Sequence, residues 1–127
     1  EKISLNNKQI LDYQQNKPPY LMIDEALEII PGESAKGFKE LKNDEWFFKV
    51  HWPNDPNMPG MLQIEAMTQM SALSILTLPG NKGKTMYLSS ATNLKFFHKI
   101  YRYKNSAITF KFGTSMPLAG SGWLNSL

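Results

Sequence analysis

Two residues of this chain, His51 and Glu65, are of the types most often used to move protons near neutral pH. They bracket the run His51-Trp-Pro-Asn-Asp-Pro-Asn-Met-Pro-Gly-Met-Leu-Gln-Ile-Glu65. Pro53, Pro56, Pro59 and Gly60 make its first part a stiff loop, because neither a helix nor a central strand accepts that density of prolines. The imidazole therefore starts a pinned loop, and the carboxylate follows on the first turns of an apolar helix. Glu65 is the one charged residue between Met61 and Leu78. Desolvation on a buried helix raises the pKa of a lone carboxyl, which leaves it a proton donor near neutrality. Gln69 lies one turn later, at i+4, where it can hold the carboxyl in one rotamer. Gly60 lets a ligand approach the backbone, and the first amides of a helix are unpaired donors. A carbonyl placed there would be polarised as negative charge developed on it.

Each feature also has a plain structural reading. A helix glutamate is usually solvated, a histidine between Val50 and Trp52 is usually a satisfied packing group, and Met58-Pro59-Gly60 can be no more than a stiff start to a helix. What lifts Glu65 above that reading is its isolation on an otherwise uncharged helix. Other chemistries find less support. His51 and His98 have no Asp or Glu at ligand spacing, so no metal site is expected. No serine sits in a strand-turn-helix elbow, which argues against a Ser-His-acid triad. The chain has no cysteine, which removes disulfides, thiolate nucleophiles and cysteine-held metals and fits a cytoplasmic protein.

The elements that must position these groups are legible in outline. Ser4 to Gln15 reads as a short amphipathic helix capped by Ser4, with Leu5, Ile10, Leu11 and Tyr13 on its buried side. Pro18 and Pro19 end it. Tyr20 to Ile30 reads as an apolar strand, Pro31-Gly32 as a turn and Ala35 to Leu41 as a weaker strand, and Trp46-Phe-Phe48 anchors the next loop in the core. Met61 to Leu78 is apolar on nearly all sides, the pattern of a buried helix, and Pro79-Gly80 ends it. Met86 to Ala91, Leu94 to Tyr103 and Ala107 to Phe112 read as strands. One long helix among antiparallel strands predicts an α+β domain with a sheet wrapped around the helix.

The 127 residues suit one domain, and 42% apolar with 20% charged residues is an ordinary globular composition. The longest uncharged run, Ala66 to Asn81, is too short and too polar to span a bilayer, which takes about 20 apolar residues. The first residues, Glu1-Lys-Ile-Ser-Leu-Asn-Asn, carry no apolar signal-peptide core. Net charge is a mild +3. A denser basic group, Lys95, His98, Lys99, Arg102 and Lys104, is interleaved with Phe96, Phe97, Tyr101 and Tyr103. It fits a solvated strand face first, an acidic protein partner second and nucleic acid least.

The whole segment resembles the signature of the β-hydroxyacyl-[acyl carrier protein] dehydratases. That family shows His-Phe-Pro, Met-Pro-Gly and Glu-Ala-Met-x-Gln, where this chain reads His51-Trp-Pro53, Met58-Pro-Gly60 and Glu65-Ala-Met-Thr-Gln69. Pro19-Tyr-Leu-Met-Ile-Asp24 and Glu45-Trp-Phe-Phe48 resemble two further family stretches, and the likeness covers about residues 5 to 100. It implies a single hot-dog domain over residues 1–127, an antiparallel sheet wrapped around one long central helix. It also implies a homodimer whose active sites take the histidine from one subunit and the glutamate from the other. On this resemblance His51 removes the C2 proton of a (3R)-3-hydroxyacyl thioester, and Glu65 protonates the departing hydroxyl. The Gly60 amide holds the thioester carbonyl beside Met58 and Pro59, and Gln69 supports Glu65. No cofactor is implied, because the thioester itself acidifies C2. The partner implied is an acyl carrier protein, with Lys95, Lys99 and Arg102 the candidates to dock it; neither nucleic acid nor a membrane is expected. Glutamate rather than aspartate at 65 favours this branch over the bifunctional dehydratase-isomerases. A thioesterase with Glu65 activating water, and a non-catalytic acyl- or carrier-binding protein, are the alternatives.

The chain departs from the family in places. It has Asn16-Lys17 where a His-Arg pair is usual, Glu25 where arginine is common, and Trp52 for phenylalanine. The largest break follows Phe96, where Phe97-His-Lys-Ile100 replaces an Arg-Arg-Pro-Val run. Residues 113–127 show no strand alternation, and a rearranged or truncated end, arising from a change of reading frame, is expected there. The sheet would then lack a strand and lean on oligomerisation.

Overall fold

The computed structural model describes residues 1–101 and 108–115. Among these residues four antiparallel strands form one sheet in sequence order: β1 (Ile3–Asn6), β2 (Glu25–Ile30), β3 (Ser34–Leu41) and β4 (Ile108–Ser115). Three helices accompany it: α1 (Asn7–Tyr13), α2 (Trp46–Val50) and the long α3 (Gly60–Leu76). α3 packs against β2, β3 and β4. This is the α+β hot-dog arrangement, with the sheet curved over one central helix.

The hairpin between β2 and β3 follows from Pro31-Gly32. Proline presets φ at the second turn position, and Gly32 takes φ +80° at the third, closed by the Glu33 amide donating to the Ile30 carbonyl at 2.9 Å. A second bond, from the Gly32 amide to Ser74 O at 2.7 Å, ties this turn to the end of α3. β3 alternates as a half-buried strand should: Ala35, Gly37, Lys39 and Leu41 face inward. β2 buries Ala26 and Ile29, three apart rather than two, because the register shifts between Ala26 and Glu28. β4 pairs with β3 without a break from Leu41↔Ile108 to Ser34↔Ser115. The core joins Ile10, Ala26, Ile29, Phe47 and Phe48 to Ala66, Met70 and Leu73 of α3. Lys39 is buried among them and pairs with Glu45 at 3.1 Å.

Several expectations need correction. Ser4 does not cap the first helix. Residues 3–6 pair with β2, and Asn6 is the cap, with Gln9 completing a reciprocal capping box at 2.9 Å in both directions. The strand expected from Tyr20 begins only at Glu25. Leu21, Met22 and Ile23 are buried, but the Met22 amide is taken by a side chain of α3 rather than by a neighbouring strand. Trp46-Phe-Phe48 belongs to a helical turn rather than a loop. α3 is buried all round from Gln69 to Ser74, as expected, but its first half has an open side in the single chain, with Met61 69% and Met67 43% exposed. The strands expected over Met86–Ala91 and Leu94–Tyr103 are not formed as far as residue 101. Met86 and Tyr101 make isolated bridges, and the residues between carry no strand because no strand lies beside them among the described residues. Gly113–Ser115 are paired in β4, so the segment expected to lack strand structure begins inside a strand; residues 116–127 lie outside the described residues.

Candidate active site

His51 ends α2, its amide donating to Phe47 O at 2.9 Å. Its Nδ1 lies 3.1 Å from the carbonyl oxygen of Asn57. A carbonyl can only accept, so Nδ1 carries the hydrogen, and in the neutral ring Nε2 keeps the lone pair. Trp52 stacks on the imidazole with centroids 5.1 Å apart, and it takes a left-handed φ of +53° to do so. That conformation is costly for a bulky residue and persists only where the surroundings enforce it.

The loop that supplies Asn57 O is held from several sides. The Asp55 amide donates to Trp52 O at 2.8 Å, the Asn57 side-chain amide to Asp55 O at 2.7 Å, and the Met58 amide to Ile100 O at 2.7 Å. Lys99 caps the outside through Asp55 at 2.6 Å, which holds the ammonium above the usual lysine range by hydrogen bonding and then by charge. Met58 and Asn57 are buried. Pro59 is the N-cap of α3 and lends no side-chain cap. Among the described residues the Gly60 amide donates to no protein acceptor.

Glu65 is half-buried on the second turn of α3, and its Oε1 accepts from Gln69 Nε2 at 2.8 Å. Gln69 is 3% exposed and fully engaged. Its Oε1 accepts the Met22 amide at 2.7 Å, and its Nε2 also donates to Tyr20 O at 3.0 Å. One buried amide thus fixes the carboxyl and pins the irregular Tyr20–Ile23 segment to the helix. Gln69→Leu should cost about 1–3 kcal/mol in chemical denaturation, because the Met22 amide loses its acceptor inside the protein. An unchanged denaturation midpoint would contradict the clamp. Tyr20, which the sequence reading did not single out, sits close enough to Glu65 that burial, and then the glutamate charge, raise its phenol above the ordinary tyrosine range.

Among the described residues of one chain, the two proton-transfer groups open into different cavities. His51 opens into one with Trp52, Met58, Gly60, Phe96 and His98. Glu65 opens into another with Gln14, Asn16, Thr68, Tyr87 and Leu88. The structure therefore brings His51 together with Gly60 and Met58, and Glu65 together with Gln69. Tyr87, Thr68 and His98 line these cavities without being among the expected site residues; only their proximity in space marks them. Of the docking candidates, Lys95 is exposed, Lys99 is paired with Asp55, and Arg102 lies outside the described residues. No group of three His, Asp or Glu able to hold a metal occurs among the described residues, and no helix there is long and apolar enough to cross a membrane.

The FabA-like domain family matches residues 15–112, a stretch that contains His51, Gly60, Glu65 and Gln69. The chain belongs to this family. It is 37% identical over 98 residues to a protein of Clostridium novyi, covering 77% of this chain and 69% of that one. It is 34% identical over 122 residues to one of Syntrophomonas wolfei, covering 96% and 85%. A protein of Roseiflexus castenholzii is 37% identical over 118 residues, covering 93% and 82%. All three relatives carry the name 3-hydroxyacyl-[acyl-carrier-protein] dehydratase FabZ. Membership accounts for the hot-dog arrangement and for the helix that carries Glu65 at its centre.

Proposed function

We propose that the protein dehydrates (3R)-3-hydroxyacyl thioesters, carried on acyl carrier protein, to trans-2-enoyl thioesters and water, in fatty-acid or related acyl-chain synthesis. The observation that carries this reading is the bond from His51 Nδ1 to Asn57 O, which leaves Nε2 as a positioned base. The names of the relatives supply the substrate class. Nε2 takes the C2 proton, whose acidity comes from the adjacent thioester. The Gly60 amide, which has no acceptor among the described residues, donates to the thioester oxygen as enolate charge builds. As the C2=C3 bond forms, the C3 hydroxyl leaves and takes a proton from the Glu65 carboxyl, and water departs. Proton transfer from the imidazolium to the carboxylate, through solvent, restores both groups.

The acid and the base come from different copies of the chain in this reading. Support comes from the separate cavities of His51 and Glu65 and from the apolar surface near them, where Met61 and Phe97 are 69% and 80% exposed. Apolar patches of this kind mark surfaces that another molecule covers. A second copy would place Glu65 of the partner subunit against His51.

The test is incubation with trans-2-enoyl and 3-hydroxyacyl thioesters while following enoyl absorbance and free thiol. Reversible loss of the enoyl signal with no thiol released is the expected result. Thiol release would make the protein an esterase, and no change in either signal would leave it a binding protein.

A further inference from the structure

The cavity that holds His51 and Gly60 adjoins a second, apolar one, and the Phe96 ring stands between them with Gln63 and Phe97 beside it. The second cavity runs along the α3 stripe Gln63, Ile64 and Met67 and is walled by Leu94, Phe96 and Phe97. The volumes are about 450 Å³ and 340 Å³, each on the scale of a small-molecule site. Gln63, Phe96 and Phe97 line both. Residues 60, 63, 64 and 67 fall on one helix face, so the apolar groove begins where the Gly60 cradle ends. The Phe96 ring sits on that junction: a methyl group at Gly60 would come within 2.9 Å of two of its ring atoms. Glycine at 60 is thus what admits the ring.

Phe96 is nevertheless 52% exposed. Its backbone belongs to no strand or helix, so rotation about its side-chain bonds breaks no ladder. The groove beyond it offers alkyl and aromatic surface and has Gln63, Asn93 and Lys95 at its rim. An alkyl chain extending from a thioester held at Gly60 meets this ring first and the apolar stripe next.

We propose that Phe96 is a specificity-determining residue, a partition that sets how long an acyl chain can extend from the His51–Gly60 cavity into the groove over Gln63, Ile64 and Met67. The proposal rests on the dehydratase reading. The ring acts by sterics alone and takes no part in proton transfer. Short chains end before it; long chains must displace it. The difference is expressed in the transition state because a chain that is not seated leaves C2 away from Nε2.

The experiment measures kcat/KM for trans-2-enoyl pantetheine thioesters of four to twelve carbons with the full chain and with Phe96→Ala and Phe96→Trp. Phe96→Ala should raise the long-to-short ratio by about tenfold or more, the size of effect that a few methylenes produce in an apolar pocket. Phe96→Trp should lower that ratio. Ratios within twofold of the unsubstituted protein in both variants would overturn the proposal. So would an unchanged ratio accompanied by a shifted monomer–dimer equilibrium in sedimentation, which would assign the groove to a second copy. If the unsubstituted protein turns over no thioester, the dehydratase reading fails by itself. Binding of saturated acyl-pantetheines of the same lengths, followed by isothermal titration calorimetry, then tests the partition separately. Length-dependent affinity that Phe96→Ala extends would sustain it, and length-independent affinity would end it.

Discussion

Mixing two inactive variants, His51→Ala and Glu65→Gln, should regenerate dehydratase activity that neither has alone. Each substitution by itself is expected to lower turnover by about 10² or more, the scale of general acid–base catalysis. A twofold dimer with composite sites holds two of them, each pairing His51 of one copy with the glutamate of the other. In a mixed dimer one site receives both defects and the other receives neither. Random pairing makes half of the dimers mixed, so refolding the two variants together should recover about a quarter of the unsubstituted activity. Were both residues to act within a single chain, every site in the mixture would lack one of them and recovery would be nil. Activity near normal in either variant alone would remove that residue from the mechanism altogether.

The largest stability effect is expected at Gly37. A Cβ there would run into the backbone carbonyl of Glu25 on β2 and the Met70 methyl of α3. The methionine end can move; the carbonyl cannot without opening the β2–β3 ladder. Gly37→Ala should therefore cost about 3 kcal/mol or more, the upper range of overpacking, and lower Tm by roughly 10 °C. Gly80→Ala is the comparison. Nothing lies within 4 Å of a Cβ at Gly80, so its penalty comes only from a φ of +81° and should be about 1 kcal/mol. Equal losses at the two positions would show that β3 does not lie this close to β2 and the central helix.

How much of this could be read beforehand depended on whether the signal was local. The β2–β3 hairpin was legible because Pro31-Gly32 dictates its own backbone angles. The boundaries of α3 were close because proline precedes it and Pro79-Gly80 follows it. The link between Glu65 and Gln69 was legible because i and i+4 are neighbours on any helix. By contrast, Ser4 looked like a cap, and tertiary pairing of residues 3–6 with β2 moved the cap to Asn6. Tyr20–Ile23 has strand composition, yet its Met22 amide went to Gln69, forty-seven residues away. Met86–Ala91 and Leu94–Tyr103 also read as strands, but a strand requires a partner, and the sequence does not say where that partner lies.

The sequence by itself determined the chemistry on offer: an imidazole, an isolated carboxyl and a proline-stiffened glycine, at a spacing that matches a known family. It also determined the architecture, because one long apolar helix among alternating segments has few ways to bury its surface. Only the tertiary structure decided the tautomer of His51, through a carbonyl six residues along a loop clamped by Lys99 and Ile100. It also decided that His51 and Glu65 open into different cavities of one chain, and that the Phe96 ring rests on Gly60. These depend on atoms far apart in the chain and close in space, and side-chain type and spacing carry no record of such distances.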